Sequence, residues 1–249
     1  MKILLLDIET APNLAHVWGL WDQNVGLPQL LDSGYILSWA AKWYKEKEVK
    51  FASLQYHTKK EMLVEMWDLL NEADAVVHYN GRRFDVPYLN AEFVQIGLLP
   101  PSPFKQIDLL ETVKKQFKFP SNKLEYVVKA LGVGEKFKNS GHELWIGCMV
   151  NNPDAWKEMS TYNIQDVNIL QALYEKLIPW IKGHANYSLY SDGSVPVCPN
   201  CGGKHLHKRG LTHTLASIYQ RYRCADCGHW SKDNKILNKK QYKTTSIGL

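Results

Sequence analysis

Three short tracts set acidic side chains against apolar runs, and no other feature constrains the fold of this chain so strongly. They are Asp7 and Glu9 in KILLLDIET, Asp85 in VVHYNGRRFDVPYL, and Asp166 with Tyr162 in STYNIQDVNIL. A carboxylate beside a buried segment is costly unless something positive offsets it. Acids converging from separated segments point to a hard, oxygen-preferring cation such as Mg²⁺ or Mn²⁺.

Each tract also has a plainer explanation. Side chains two apart on a strand point the same way, so Asp7 and Glu9 share a face at the C-terminal end of an apolar run. Two such acids repel unless a cation lies between them, or else they form a solvated strand end. Asp85 falls near a predicted helix start, where a capping role competes with a functional one. In the turn before it, Arg82 and Arg83 serve phosphate or simply face solvent. Tyr162 and Asp166 are spaced i, i+4 and project from one helix face, as a surface contact would also require.

The surrounding pattern predicts an α/β body. Lys2 to Asp7 reads as a buried strand. Gly34 to Tyr44 and Val49 to Leu54 read as a hairpin around the charged KEKE turn. A helix over 59–71, a strand over 75–78, a helix over 85–96 and a last strand over 104–109 follow. Helices are then expected over 122–131, stopped by Gly132, and over 154–180, opened by Pro153. Early strands, then alternation, then helices predict a mixed five-stranded sheet flanked by helices.

Residues 181–197 are rich in Gly, Ser and polar side chains and mark a boundary. The expected organisation is a body over 1–183, a linker over 184–197, a cysteine module over 198–235 and a basic flexible tail over 236–249. CPNCGG and CADCG give a C-x2-C-x22-C-x2-C pattern at Cys198, Cys201, Cys224 and Cys227. Four thiolates at knuckle spacing predict one structural Zn²⁺ in a zinc ribbon, and they argue against a secreted disulfide framework. His205, His207 and His213 lie between the knuckles and are expected at the surface rather than on the metal. Cys148 stands alone in an apolar stretch and reads as a buried thiol.

From residue 184 onward there are ten Lys/Arg against three Asp/Glu, while the preceding residues carry twenty against twenty-two. A basic module on a near-neutral body predicts a polyanionic partner. Lys204, Lys208, Arg209, Arg221 and Arg223, with Tyr219, Tyr222 and Trp230 interleaved, suit phosphate contact and base stacking. No apolar stretch reaches the length of a membrane span, and the N-terminus turns acidic too soon for a secretory signal, so a cytoplasmic protein is expected.

Taken in order, the tracts resemble the DEDD superfamily of 3′→5′ exonucleases, whose fold is ribonuclease-H-like. The first matches DxE. The second matches the YNxxxFDxPYL form of family-B polymerase proofreading domains. The third matches YxxxD, the mark of the DEDDy branch. The resemblance covers roughly residues 1 to 180, and the chain looks most like the stand-alone exonucleases of bacteria and their phages. It implies two-metal hydrolysis with Mg²⁺ or Mn²⁺, most of all on single-stranded DNA, in a bacterial cell or a phage-infected host. Asp7 would bridge both ions, Glu9 and Asp166 would hold one, Asp85 would hold the other, and Tyr162 would orient the water. By the same analogy Thr10, Asn80 and Phe84 would touch the terminal nucleotide, although Phe84 reads equally as a core aromatic. Asp108 lacks a tract partner and is taken as structural. A replication or repair protein is a further partner to expect. The alternatives are an exoribonuclease and a catalytically silent nucleic-acid-binding adaptor.

Overall fold

The computed structural model describes residues 1–238. Chain contacts divide it into one unit over Lys2–Tyr174 and another from Glu175 onward that includes Met1. The boundary falls within a long helix.

In the first unit the apolar run after Lys2 becomes β1 (Ile3–Thr10), with Leu4, Leu5 and Leu6 fully buried. Burial on both faces requires a central strand covered on both sides. A small ladder of β2 (Leu14–Ala15) and β3 (Leu30–Asp32) follows, which the sequence pattern does not signal. The predicted hairpin is present as β4 (Ile36–Trp43) and β5 (Lys50–Ser53). Next come α1 (Lys59–Glu72), β6 (Ala75–His78), α2 (Asp85–Gln95) and β7 (Lys105–Asp108). Helices α3 (Leu109–Gln116), α4 (Leu124–Ala130), α5 (His142–Met149) and α6 (Pro153–Leu177) complete the series.

The five main strands are ordered β5-β4-β1-β6-β7. β1 and β4 pair antiparallel, as do β4 and β5, whereas β1–β6 and β6–β7 are parallel. This is the mixed sheet that the sequence predicts. The helix α1 starts at Thr58, whose hydroxyl accepts from the Glu61 N–H while Glu61 reaches back to the Thr58 N–H. Met62, Leu63, Met66, Leu69 and Leu70 then form the buried stripe that packs on one sheet face, against Trp39 of β4 and beside Phe93 of α2. A second cluster joins Leu37 to Leu144, Cys148, Trp156, Met159 and Tyr162. α3 and α5 are the two short helices that sequence periodicity leaves unmarked. The shorter α4 is marked by Leu124, Val127, Val128 and Leu131, whereas α3 follows β7 without a break and α5 is a continuous apolar run.

In the second unit β8 (Leu206–His213), β9 (Ile218–Cys224) and β10 (Trp230–Ile236) form an antiparallel sheet ordered β10-β9-β8. The expected tail at 236–249 lies, from residue 239 on, outside the described residues. Among those described, no helix is long and apolar enough to cross a membrane.

Candidate active site and metal centres

The parallel strands β1 and β6 end side by side, and their C-terminal ends place the acids, as open α/β sheets commonly do. The β1–β6 ladder runs from Ile3 opposite Ala75 to Leu5 opposite Val77. Past that point the Ile8 N–H donates instead to Oδ1 of Asp85 at 3.1 Å. Asp85 is therefore the first residue of α2 and is also pinned to β1 between Asp7 and Glu9. Its carboxylate is buried, and the N-cap position of its helix is Phe84. On the other side of β1 the pairing with β4 shifts between Glu9 and Thr10. A bulge there re-aims the side chains that follow.

Helix α6 crosses this strand end and supplies Tyr162 and Asp166. One carboxylate oxygen each from Asp7, Glu9 and Asp166 lie within 4.8 Å of one another. Asp85 stands outside that trio, close enough for its charge to act on Asp7 and Glu9. Burial, then mutual repulsion with Glu9, Asp85 and Asp166, pushes the Asp7 carboxyl well above the usual range. Burial likewise raises Glu9 to about 8 and Asp85 to about 7, and raises Asp166. Oδ1 of Asp166 is buried without a hydrogen-bond partner. Four crowded carboxyls and an orphaned acceptor form an oxygen-only donor set that fits divalent cations.

The Tyr162 hydroxyl lies beside Asp166, and burial keeps it protonated far above its ordinary range. Thr10, Lys136, Trp145 and Tyr162 line a cavity of about 770 Å³ at this strand end. Asn80 and Phe84 sit in the turn after β6. Asn80 takes a left-handed φ of 71° and donates its N–H to Asp108, and the Phe84 ring leans on Tyr88 at 4.8 Å. Arg82 is held by Glu111 at 3.1 Å and by the Gln106 carbonyl, whereas Arg83 is exposed. Asp108 is structural, as expected. It caps α3 through the Leu110 and Glu111 N–H groups and also accepts from Asn80 and Arg82.

Three partners of the acids are invisible to motif reasoning. The Asn163 Nδ2 donates to Oδ2 of Asp7 at 2.7 Å, and its own Oδ1 accepts from the Ser38 hydroxyl at 3.2 Å. Both Asn163 and Ser38 are fully buried. The Trp145 indole N–H donates to Glu9 at 3.0 Å, and its ring meets Tyr162 edge-on at 6.0 Å. Lys136 pairs with Asp166 at 2.9 Å and lies 4.8 Å over the Tyr162 ring. Asn163 lies inside the third tract, three residues before Asp166, but carries no motif of its own. Lys136 and Trp145 reach the acids only through long-range packing.

In the second unit, sulfurs of Cys198 and Cys227 are 3.7 Å apart, as are those of Cys201 and Cys224. A tetrahedron with metal–sulfur bonds of 2.3 Å has edges of about 3.8 Å, so the four thiols match a zinc-sized site. Each knuckle closes on a glycine with positive φ, Gly202 at 74° and Gly228 at 81°. Their N–H groups return to the carbonyls of Cys198 and Cys224. His205 is bound to Asp226, and His207 and His213 are exposed. Arg221 and Arg223 lie on the exposed part of β9. Cys148 is buried in the first unit, in the apolar cluster that also holds Tyr162.

A family model of the RNase_H superfamily matches residues 26–178. Among solved structures, a family B DNA polymerase from the hyperthermophilic archaeon Pyrobaculum calidifontis matches with a TM-score of 0.54 and 19% identity. The match covers 72% of this chain and 24% of that polymerase chain, and it is a likeness of fold. A search of curated protein sequences finds no match.

Proposed function

Because the chain belongs to the RNase_H superfamily, we propose that it is a metal-dependent 3′→5′ exonuclease of the DEDDy type, acting on DNA and preferring single strands. The observation that carries this proposal is the convergence of Asp7, Glu9 and Asp166 within 4.8 Å, with the Tyr162 phenol on Asp166. The direction of hydrolysis and the branch rest on the resemblance of the three tracts to that group. The polymerase likeness supports the fold and leaves substrate and polarity to experiment.

The carboxylates of Asp7, Glu9 and Asp166 would hold one Mg²⁺ or Mn²⁺ and Asp85, with Asp7, a second. Two such ions would supply the positive charge that activates water and stabilises the leaving oxygen of a phosphodiester. Tyr162, kept as a neutral phenol, would orient the attacking water. Glu9 is held in place by the Trp145 indole, and Asp7 by Asn163. Thr10, Asn80 and Phe84 would contact the terminal nucleotide. No side-chain nucleophile is required.

The body over 1–183 would do the chemistry, and the module over 198–235, held by one Zn²⁺ on Cys198, Cys201, Cys224 and Cys227, would help to grip nucleic acid. The test is an assay on single-stranded DNA, duplex DNA and RNA labelled at either end, with and without added Mg²⁺ or Mn²⁺. Stepwise shortening from the 3′ end that requires the ion and disappears in Asp7→Ala is expected. Hydrolysis undiminished by Asp7→Ala would sink the mechanism.

A further inference from the structure

We infer that one face of the three-stranded sheet, built on Tyr219, Arg221, Arg223, Trp230 and Lys232, is the surface that grips an unpaired nucleic-acid strand. This rests on the nuclease proposal for its biological sense, but the argument comes from the sheet itself.

Cross-strand register separates the two faces. Trp230 lies opposite Arg223, and Lys232 lies opposite Arg221. Tyr219 shares their face, since it alternates in step with Arg221 and Arg223 along β9. Across β8, His207 opposes Arg223 and Thr212 opposes Tyr219. None of these positions carries a carboxylate. The opposite face holds Tyr222, whose hydroxyl donates to Asp233, together with Lys208 and Ser231. Of the interleaved aromatics in the sequence, Tyr222 is therefore committed within the sheet, while Trp230 and Tyr219 stay with the cations.

The cations are organised around the rings. The Arg221 guanidinium lies 4.8 Å from the Trp230 ring and that of Arg223 lies 6.0 Å away. The Lys232 ammonium lies 3.9 Å over Tyr219. The Nε of Arg221 also donates to the Arg209 carbonyl at 2.9 Å, which fixes the side chain before any ligand arrives. Trp230 remains 48% exposed.

The ring contacts account for Arg221 and Lys232 singly but not for their being set opposite each other. Like charges directly opposite on neighbouring strands destabilise a sheet, and Lys232 faces Arg221 in that way. A polyanion removes the repulsion. Phosphates suit the three cations, and the exposed Trp230 ring suits a base, which offers its flat face only when unstacked. A duplex presents phosphates but no free base faces, so the single strand is the better fit.

The test uses the full-length chain carrying Asp7→Asn, so that binding is read without turnover. The probe is a fluorescein-labelled oligothymidine of about twenty nucleotides, compared with a duplex of equal length by fluorescence anisotropy. The double variant Arg221→Ala with Arg223→Ala is expected to weaken single-strand binding at least tenfold. It should also flatten the salt dependence by roughly 1.4 in log–log slope, at about 0.7 per phosphate contact. Trp230→Ala should cost about tenfold through lost stacking. Lys208, grouped with these cations by the sequence pattern, lies instead on the other face opposite Tyr222, so Lys208→Ala should change affinity less than twofold. Zinc content by mass spectrometry verifies that each variant keeps its metal, and Lys232→Ala provides a further cation deletion that spares the ring. Unaltered binding in the double variant and in Lys232→Ala overturns the inference, as does an equal loss in Lys208→Ala. Equal affinity for duplex and single strand overturns the single-strand assignment. Hydrolysis by the wild-type chain is scored separately, so failure of this surface and failure of the nuclease proposal are told apart.

Discussion

Asn163 holds Asp7 from within helix α6, with its Nδ2 2.7 Å from the carboxylate Oδ2 and its Oδ1 taken by the Ser38 hydroxyl of β4. One fully buried amide thus joins strand β4, strand β1 and the helix that supplies Tyr162 and Asp166. Groups that orient metal-binding side chains typically contribute 10- to 100-fold to affinity or activity. Asn163→Ala is expected to lower the rate by about that factor and to raise the Mn²⁺ concentration needed for half-maximal hydrolysis. A Mn²⁺ titration of oligonucleotide cleavage reads both, and an unchanged half-maximal concentration would show that Asn163 only packs.

The indole of Trp145 is the corresponding support for Glu9. Trp145→Phe keeps a ring against Tyr162 and deletes the N–H. Without that bond the Glu9 carboxyl moves further above its ordinary range, because the indole lowers it now. The rate–pH profile should shift to higher pH, and about tenfold more Mn²⁺ should be needed. Restoring wild-type behaviour with Phe would rule out the hydrogen bond as the cause.

Metal-free stability should depend on pH with a definite sign. Asp85 and Glu9 titrate near 7 and 8 in the fold, whereas carboxyls of an unfolded chain titrate near 4. Between about pH 4 and 8 the unfolded chain therefore binds fewer protons, and stability falls as pH rises through that window. Binding of a divalent cation needs the ionised acids, so the thermal shift produced by Mn²⁺ should grow over the same range. Differential scanning fluorimetry with and without Mn²⁺ measures both slopes, and a Mn²⁺ shift that stays flat with pH would contradict the carboxylates as ligands.

Lys136 competes with an incoming cation for Asp166, since its ammonium already sits 2.9 Å from Oδ2. Lys136→Met removes that competitor. Calorimetric titration should show tighter Mn²⁺ binding, by a few-fold for a partly exposed pair worth about 1 kcal/mol. Weaker Mn²⁺ binding in the variant would mean that Lys136 supports the ions.

Removal of a single thiol should release zinc. Cys198→Ser is expected to lose the stoichiometric metal and the β8–β10 sheet that depends on it. Elemental analysis with amide hydrogen exchange over 198–236 tests this, and full metal retention would exclude Cys198 as a ligand.

The strands were legible because β1, β4 and β6 are bounded apolar runs, and the acids because each interrupts such a run. Asn163 stands inside the third acidic tract. An asparagine within a helix carries no pattern of its own, and its value comes from Asp7, 156 residues away in sequence. Lys136 sits in an aperiodic segment, and Trp145 in a continuous apolar run whose helix has no polar alternation to announce it. Local periodicity carries the scaffold, while the partners of the acids are fixed by tertiary approach.

Asp108 gathers backbone N–H groups from Asn80, Arg82, Leu110 and Glu111, and so welds the turn before Asp85 to the start of α3. A genetic screen that replaces every acid by alanine and scores only lost phenotype will return Asp108 beside Asp7, Glu9, Asp85 and Asp166. Five hits would suggest five ligands. Asp108 will differ in being a temperature-sensitive, low-abundance allele, whereas the others will yield stable protein that accumulates without working.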